Sequence, residues 1–118
     1  MRVIEIMGGH GPAEALTPAE RPEPTPGPGQ VRIHVQAAGV NRPDIVQREG
    51  RYPPPPDASD LLGLEIAGEI DAIGDGATRW AVGDRVCALL GGGGYAEYAV
   101  VDARHALPIP EGLDFIQA

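Results

Sequence analysis

Apolar and polar positions alternate without a fault over residues 30–37, Q-V-R-I-H-V-Q-A, where Val31, Ile33 and Val35 face one way and Arg32, His34 and Gln36 the other. That period of two predicts a β-strand with one buried face. Residues 1–6, M-R-V-I-E-I, predict a first strand, ended by Gly8, Gly9, Gly11 and Pro12. Residues 13–18 read as a second short strand, and residues 20–30, with Pro22, Pro24, Pro26 and Pro28, as an extended surface connection. Residues 62–73 are largely apolar and predict a long strand bent or bulged at Gly68. After the turn signals Asp75-Gly76 and Gly83-Asp84 come strands over 85–90 and 95–102, expected to pair across a glycine run, and a last one over 106–109. Residues 111–118 read as the start of a helix. One short internal helix is predicted after Asn41, a good N-cap, with Pro43 in its first turn, Asp44 complementing the helix dipole and Gly50 closing it. About seven short strands and one helix make a mainly β fold, a small barrel or sandwich.

At 118 residues the chain fits one domain. Its 17 glycines and 13 prolines would permit disorder, but 42% hydrophobic residues and clean periodic runs favour a folded, turn-rich domain. A net charge of −8 argues against nucleic-acid and anionic-membrane partners. The lone cysteine, Cys87, lies in an apolar run, reads as a buried structural thiol and excludes a multi-cysteine zinc site. No apolar run reaches the roughly 18 residues of a membrane span, and the N-terminus has no signal-peptide core, so a cytoplasmic protein is expected.

The tetraglycine Gly91–Gly94 invites a phosphate-binding reading, but Y-A-E-Y-A-V-V-D follows it where a nucleotide loop needs a helix, so a flexible hairpin turn is the expectation. The chain has no lysine, which excludes a Walker-type loop, and Ser59 is its one serine, in no nucleophile elbow. His10, His34 and His105 stand apart from one another and read as surface residues, and no spacing of acids, histidines and cysteine predicts a metal site. There remains V-N-R-P-D-I-V-Q-R-E-G-R-Y-P-P-P-P-D at 40–57. Asn41 and Asp44 are three residues apart and share a helix face, and Tyr52 follows on a proline-stiffened loop. By chemistry alone, helix capping plus a tyrosine packed on proline rings is favoured over a reactive site.

Five motifs in order change that balance: A-A-G-V-N-R-P-D at 37–44, G-L-E-I-A-G at 63–68, G-D-R-V at 83–86, G-G-Y-A-E-Y at 93–98 and L-P-I-P-E-G-L at 107–113. They resemble the medium-chain dehydrogenase/reductase superfamily over essentially the whole chain, and most closely its zinc-independent quinone oxidoreductases of the zeta-crystallin kind. The resemblance implies a GroES-like distorted β-barrel over residues 1–118, the N-terminal catalytic domain of such an enzyme, with a Rossmann NADPH-binding domain expected after Ala118. Where zinc alcohol dehydrogenases carry cysteine and histidine ligands, this chain has Asn41 and Leu64, which implies a site without zinc. It implies NADPH as cofactor, a small quinone or enone as substrate, and a homodimer for the complete enzyme. Asn41, Asp44 and Tyr52 would line the cleft: Asn41 orienting the nicotinamide ribose or the substrate oxygen, Asp44 supporting the hydrogen-bond network, and Tyr52 donating to the reduced oxygen. The isolated chain would bind NADPH poorly and turn nothing over. The rival reading is a free-standing small β-barrel that binds partners, as the co-chaperonin of the same fold does.

Overall fold

The faultless alternation of residues 30–37 becomes the middle of the domain. In the computed structural model, which describes residues 1–118, strand β3 (Gln30–Ala38) lies between β4 (Glu65–Ile73) and β6 (Tyr98–Asp102), antiparallel to both. Val31 and Ile33 on its inner face are fully buried and pack with Ile66, Ile70, Val86 and Val101. On its outer face His34 stacks on Tyr98, ring centroids 4.8 Å apart, and Arg32 pairs with Asp71 at 2.8 Å. The strand predicted from residue 62 starts at Glu65, and two register shifts interrupt its ladder with β3, one of them opposite Gly68. Such bulges bend and twist a sheet. Here they curl five strands, in the order β6-β3-β4-β5-β7, into a half-barrel, with β5 at Arg85–Leu89 and β7 at Ala106–Pro108.

A two-stranded sheet of β1 (Arg2–Ile6) and β2 (Leu16–Glu20) completes the fold. The second strand was expected at 13–18, but residues Ala13–Ala15 form a 3₁₀ turn and pairing with β1 runs on to Glu20. Pro18 is tolerated because β2 lies at a sheet edge. A bridge from Val3 to Ala96 joins this sheet to the approach of β6. The seven strands and single α-helix, α1 (Arg42–Arg48), match the mainly β expectation. At the C-terminus the expected helical start is a single turn, with the Ala118 amide donating to the Asp114 carbonyl at 3.1 Å. Stacking of Arg85 over Phe115 at 4.5 Å holds that turn to the sheet.

One expectation about pairing fails. Strands β5 and β6 are not partners: β5 pairs with β4 and β7, and β6 with β3. The glycine run between them is therefore a crossing rather than a flexible hairpin turn. It is stitched by backbone hydrogen bonds from Gly93, Gly94 and Tyr95 to the carbonyls of Leu61, Gly63 and Leu62, at 2.9, 3.0 and 2.9 Å. Two main chains approach so closely here that a β-carbon on Gly63 would lie 2.6 Å from the Gly94 α-carbon, and Gly63 itself sits at φ +105°. Only glycine meets both demands.

Gly63→Ala is expected to destabilise the fold by more than about 3 kcal/mol, backbone overlap adding to an unfavourable φ. Gly9→Ala, at φ +86° with nothing within 4 Å, is the control and should cost only about 1 kcal/mol. Denaturant midpoints of the two variants at matched slope measure the difference.

Candidate functional site

Helix α1 follows closely on β3, which ends at Ala38, its N-cap Asn41 lying two residues beyond Gly39. Asn41 caps it in an extended conformation at φ −123°, and Pro43 occupies the first turn, where a missing amide costs nothing. The Asn41 amide donates to Asp44 Oδ2 at 2.9 Å, and the Asp44 amide donates to the Asn41 carbonyl at 3.0 Å. These bonds join Asn41 and Asp44 into one unit, as their spacing predicted.

The helix then departs from the ordinary amphipathic pattern. Its buried residues are Asp44, 2% exposed, and Gln47, 6% exposed, while Ile45 and Val46 are only half-buried. A short helix that turns a carboxylate and an amide inward is the informative kind of anomaly. Across from it, Tyr95 Oη donates to Asp44 Oδ2 at 2.7 Å. Burial, with the neighbouring Asp44 carboxylate second, pushes the Tyr95 hydroxyl well above the ordinary tyrosine value. The phenol therefore stays protonated as a donor, and the carboxylate oxygen it serves also receives a backbone amide.

Tyr52 sits elsewhere. Its ring is 48% exposed and, with Gln47, Pro53, Pro54, His10 and Leu62, lines a cavity of about 310 Å³. Its hydroxyl bonds to neither Asn41 nor Asp44. Gln47, on the inner face of α1, is the side chain that reaches from the helix to the Tyr52 cavity. A second cavity, of about 230 Å³ and mostly apolar, is walled by Ala37, Gly39, Glu65, Leu89, Leu107 and Phe115. Cys87 also lines it and is half-buried rather than enclosed in the core.

Tyr95 and Gln47 are the residues that the sequence did not single out. Tyr95 stood inside G-G-Y-A-E-Y, but its partner is 51 residues away in the chain. Gln47 lay on the helix stripe that begins at Asp44, and the three-residue spacing was the available signal. No three His, Cys, Asp or Glu side chains converge into a group that would hold a metal, and Asn41 and Leu64 offer no strong zinc donor.

With strands and site in place, the class is defined: residues 27–111 match the family of alcohol dehydrogenase GroES-like domains, and the chain belongs to it. Among curated proteins it is 40% identical over 110 residues to the quinone oxidoreductase of Pseudomonas aeruginosa, covering 92% of this chain and 34% of that protein. It is 45% identical over 116 residues to the pikromycin polyketide synthase component PikAII of Streptomyces venezuelae, covering 93% of this chain and 3% of that protein. Among solved structures, the Escherichia coli quinone oxidoreductase complexed with NADPH superposes with a TM-score of 0.87 at 30% identity, over 98% of this chain and 35% of that one. The chain thus spans about a third of the length of those quinone oxidoreductases and a small part of the synthase component. No helix is long and apolar enough to cross a membrane.

The raised Tyr95 hydroxyl has a pH consequence. A folded-state value above the unfolded one contributes stability that is complete below about pH 10, the ordinary tyrosine range, and is lost as pH rises beyond it. Thermal unfolding followed from pH 8 to pH 11 should therefore show a falling midpoint whose alkaline limb is shallower in Tyr95→Phe. Equal slopes in the two proteins would disprove the assignment.

Proposed function

We propose that the chain is the catalytic domain of an NADPH-dependent oxidoreductase that reduces a conjugated carbonyl acceptor, a quinone or enone, with the nucleotide-binding domain supplied by further chain. The observation that carries this reading is the buried Asp44 on α1, fixed beside Asn41 in a domain that superposes on a quinone oxidoreductase complexed with NADPH.

The residues at the start of α1 suit such a cofactor chemically. Asn41 offers a carboxamide that both donates and accepts, Arg42 is an exposed cation suited to phosphate, and Val40, 79% exposed, offers an apolar surface to a flat ring. NADPH supplies a hydride when bound. Asn41 then holds the nicotinamide ribose or the acceptor oxygen, and Asp44 keeps Asn41 in place through the Asn41 amide. Tyr52, on the rim of its own cavity, donates a hydrogen bond or a proton to the oxygen that gains charge. A conjugated acceptor spreads that charge over its own π-system, so two neutral donors suffice where an alkoxide would call for a Lewis acid.

The similarity to the polyketide synthase component favours a second reading, the same domain acting as one module of a larger synthase on an enone-type acceptor. Comparing a simple quinone with a simple conjugated enone as acceptor, with the full-length protein and NADPH, separates the two.

In the full-length protein Tyr52→Phe should lower kcat by about 10²-fold, read from the loss of reduced-nicotinamide absorbance; an unchanged kcat removes Tyr52 from the mechanism. Asn41→Ala should raise KM for NADPH more than KM for the acceptor. Calorimetric titration of the 118-residue chain alone with NADPH should show no micromolar binding, since a dinucleotide takes most of its contacts from the other domain. Micromolar binding would contradict that division of labour.

A further inference from the structure

Three separate segments meet at Tyr95. Its amide donates to the Leu62 carbonyl at 2.9 Å, at the end of the proline loop. Its carbonyl accepts from the Ile4 amide of β1 at 2.9 Å. Its hydroxyl donates to Asp44 of α1 at 2.7 Å. No other element of the sheet bonds to α1 through Asp44, and the glycine run that delivers Tyr95 is itself stitched to residues 61–63. Asp44, the buried carboxylate of α1, thus takes its one tertiary hydrogen bond from a phenol presented by that stitched crossing.

We propose that Tyr95 is a positioning residue for the hydride-transfer site: through Asp44 it sets the start of α1, and so the direction of the Asn41 carboxamide. The proposal rests on the oxidoreductase reading above for its kinetic consequence, but not for its structural one. Tyr95 touches neither of the groups assigned to substrate or cofactor. Its influence passes along a chain of two hydrogen bonds, Tyr95 Oη to Asp44 Oδ2 and Asp44 Oδ2 to the Asn41 amide. Because both bonds end on the same carboxylate oxygen, loss of the phenol frees the carboxylate to rotate, and the amide loses its fixed acceptor. Small displacements of an orienting group lower turnover steeply while leaving acceptor binding nearly intact.

The test uses the full-length protein and the variant Tyr95→Phe. Amide hydrogen exchange should speed up about tenfold or more at Asn41 and along α1, with the β3–β4 ladder unchanged; equal exchange at α1 overturns the proposal. In NADPH oxidation with a simple quinone, kcat should fall at least tenfold with KM for the quinone within about twofold of wild type. A folded variant with unchanged kcat also overturns it, leaving Tyr95 a structural residue only. Combining Tyr95→Phe with Asp44→Asn should lower kcat little further than either alone, because the two act as one unit; fully additive losses count against it. If the phenylalanine variant does not fold, 4-aminophenylalanine at position 95 carries the test. That side chain keeps a weaker donor at the same reach, so intermediate exchange and intermediate kcat support the proposal, and wild-type values of both overturn it. A wild-type protein that oxidises no NADPH with quinone or enone would overturn the oxidoreductase reading instead, while the exchange experiment still decides the anchoring.

Discussion

The arrangement around α1 depends on one buried carboxylate, Asp44, and on what offsets the cost of burying it. An ionised group removed from water loses several kcal/mol of solvation unless something replaces it. No guanidinium reaches Asp44. Instead one oxygen accepts a backbone amide and a phenol, and the carboxylate stands at the amide-rich start of a helix. Hydrogen bonds to a charged acceptor are the strong kind, each worth about 1.5–3 kcal/mol. Two of them, with the helix end, offset part of that cost, and Asp44 Oδ1 remains buried without a partner. Because both donors converge on one side chain, the helix start and the crossing cannot move independently.

That convergence explains the expenditure of glycine. A sheet ordered β6-β3-β4-β5-β7 requires the chain to leave β5 and cross to the far edge of the sheet, beside β3. The path passes residues 61–63 at main-chain contact, and four glycines in succession permit it. The same tetraglycine that looked like a phosphate loop is therefore used for proximity. It brings Tyr95 out of the crossing already fixed at its amide and carbonyl, so the phenol reaches Asp44 with little freedom left to lose.

How much of this was legible in the sequence follows from the range of the interactions. Strand β3, the cap at Asn41 and the irregularity at Gly68 are written in neighbouring residues, through a period of two, a capping side chain and a missing β-carbon, and each lies where it was expected. The pairing of β6 was not legible, since a glycine run between two strands looks alike whether it turns back or crosses over. The inward face of α1 was not legible either, because the tertiary fold, not the local pattern, turned Asp44 and Gln47 inward. Of the candidate residues, Asn41 and Asp44 came together because they are three apart on one helix. Tyr52 lies on the rim of a separate cavity, and its place in the chemistry rests on its hydroxyl and its exposure.

In the proposed reading, a negative charge beside a site that would build negative charge on an acceptor oxygen needs justification. A free carboxylate close to that oxygen would oppose the charge it gains, since neither a protein interior nor its surface screens as well as bulk water. Asp44 Oδ2 is turned inward, where it accepts from the Asn41 backbone amide and the Tyr95 hydroxyl, and the start of α1 opposes its charge, while Oδ1 is buried without a hydrogen-bond partner. What the helix presents outward is then neutral or cationic: the Asn41 carboxamide and the exposed Arg42. In the proposed reading the carboxylate contributes rigidity and the amide contributes contact. In that reading the acceptor delocalises its own charge, and the domain's part is to hold its few donors still.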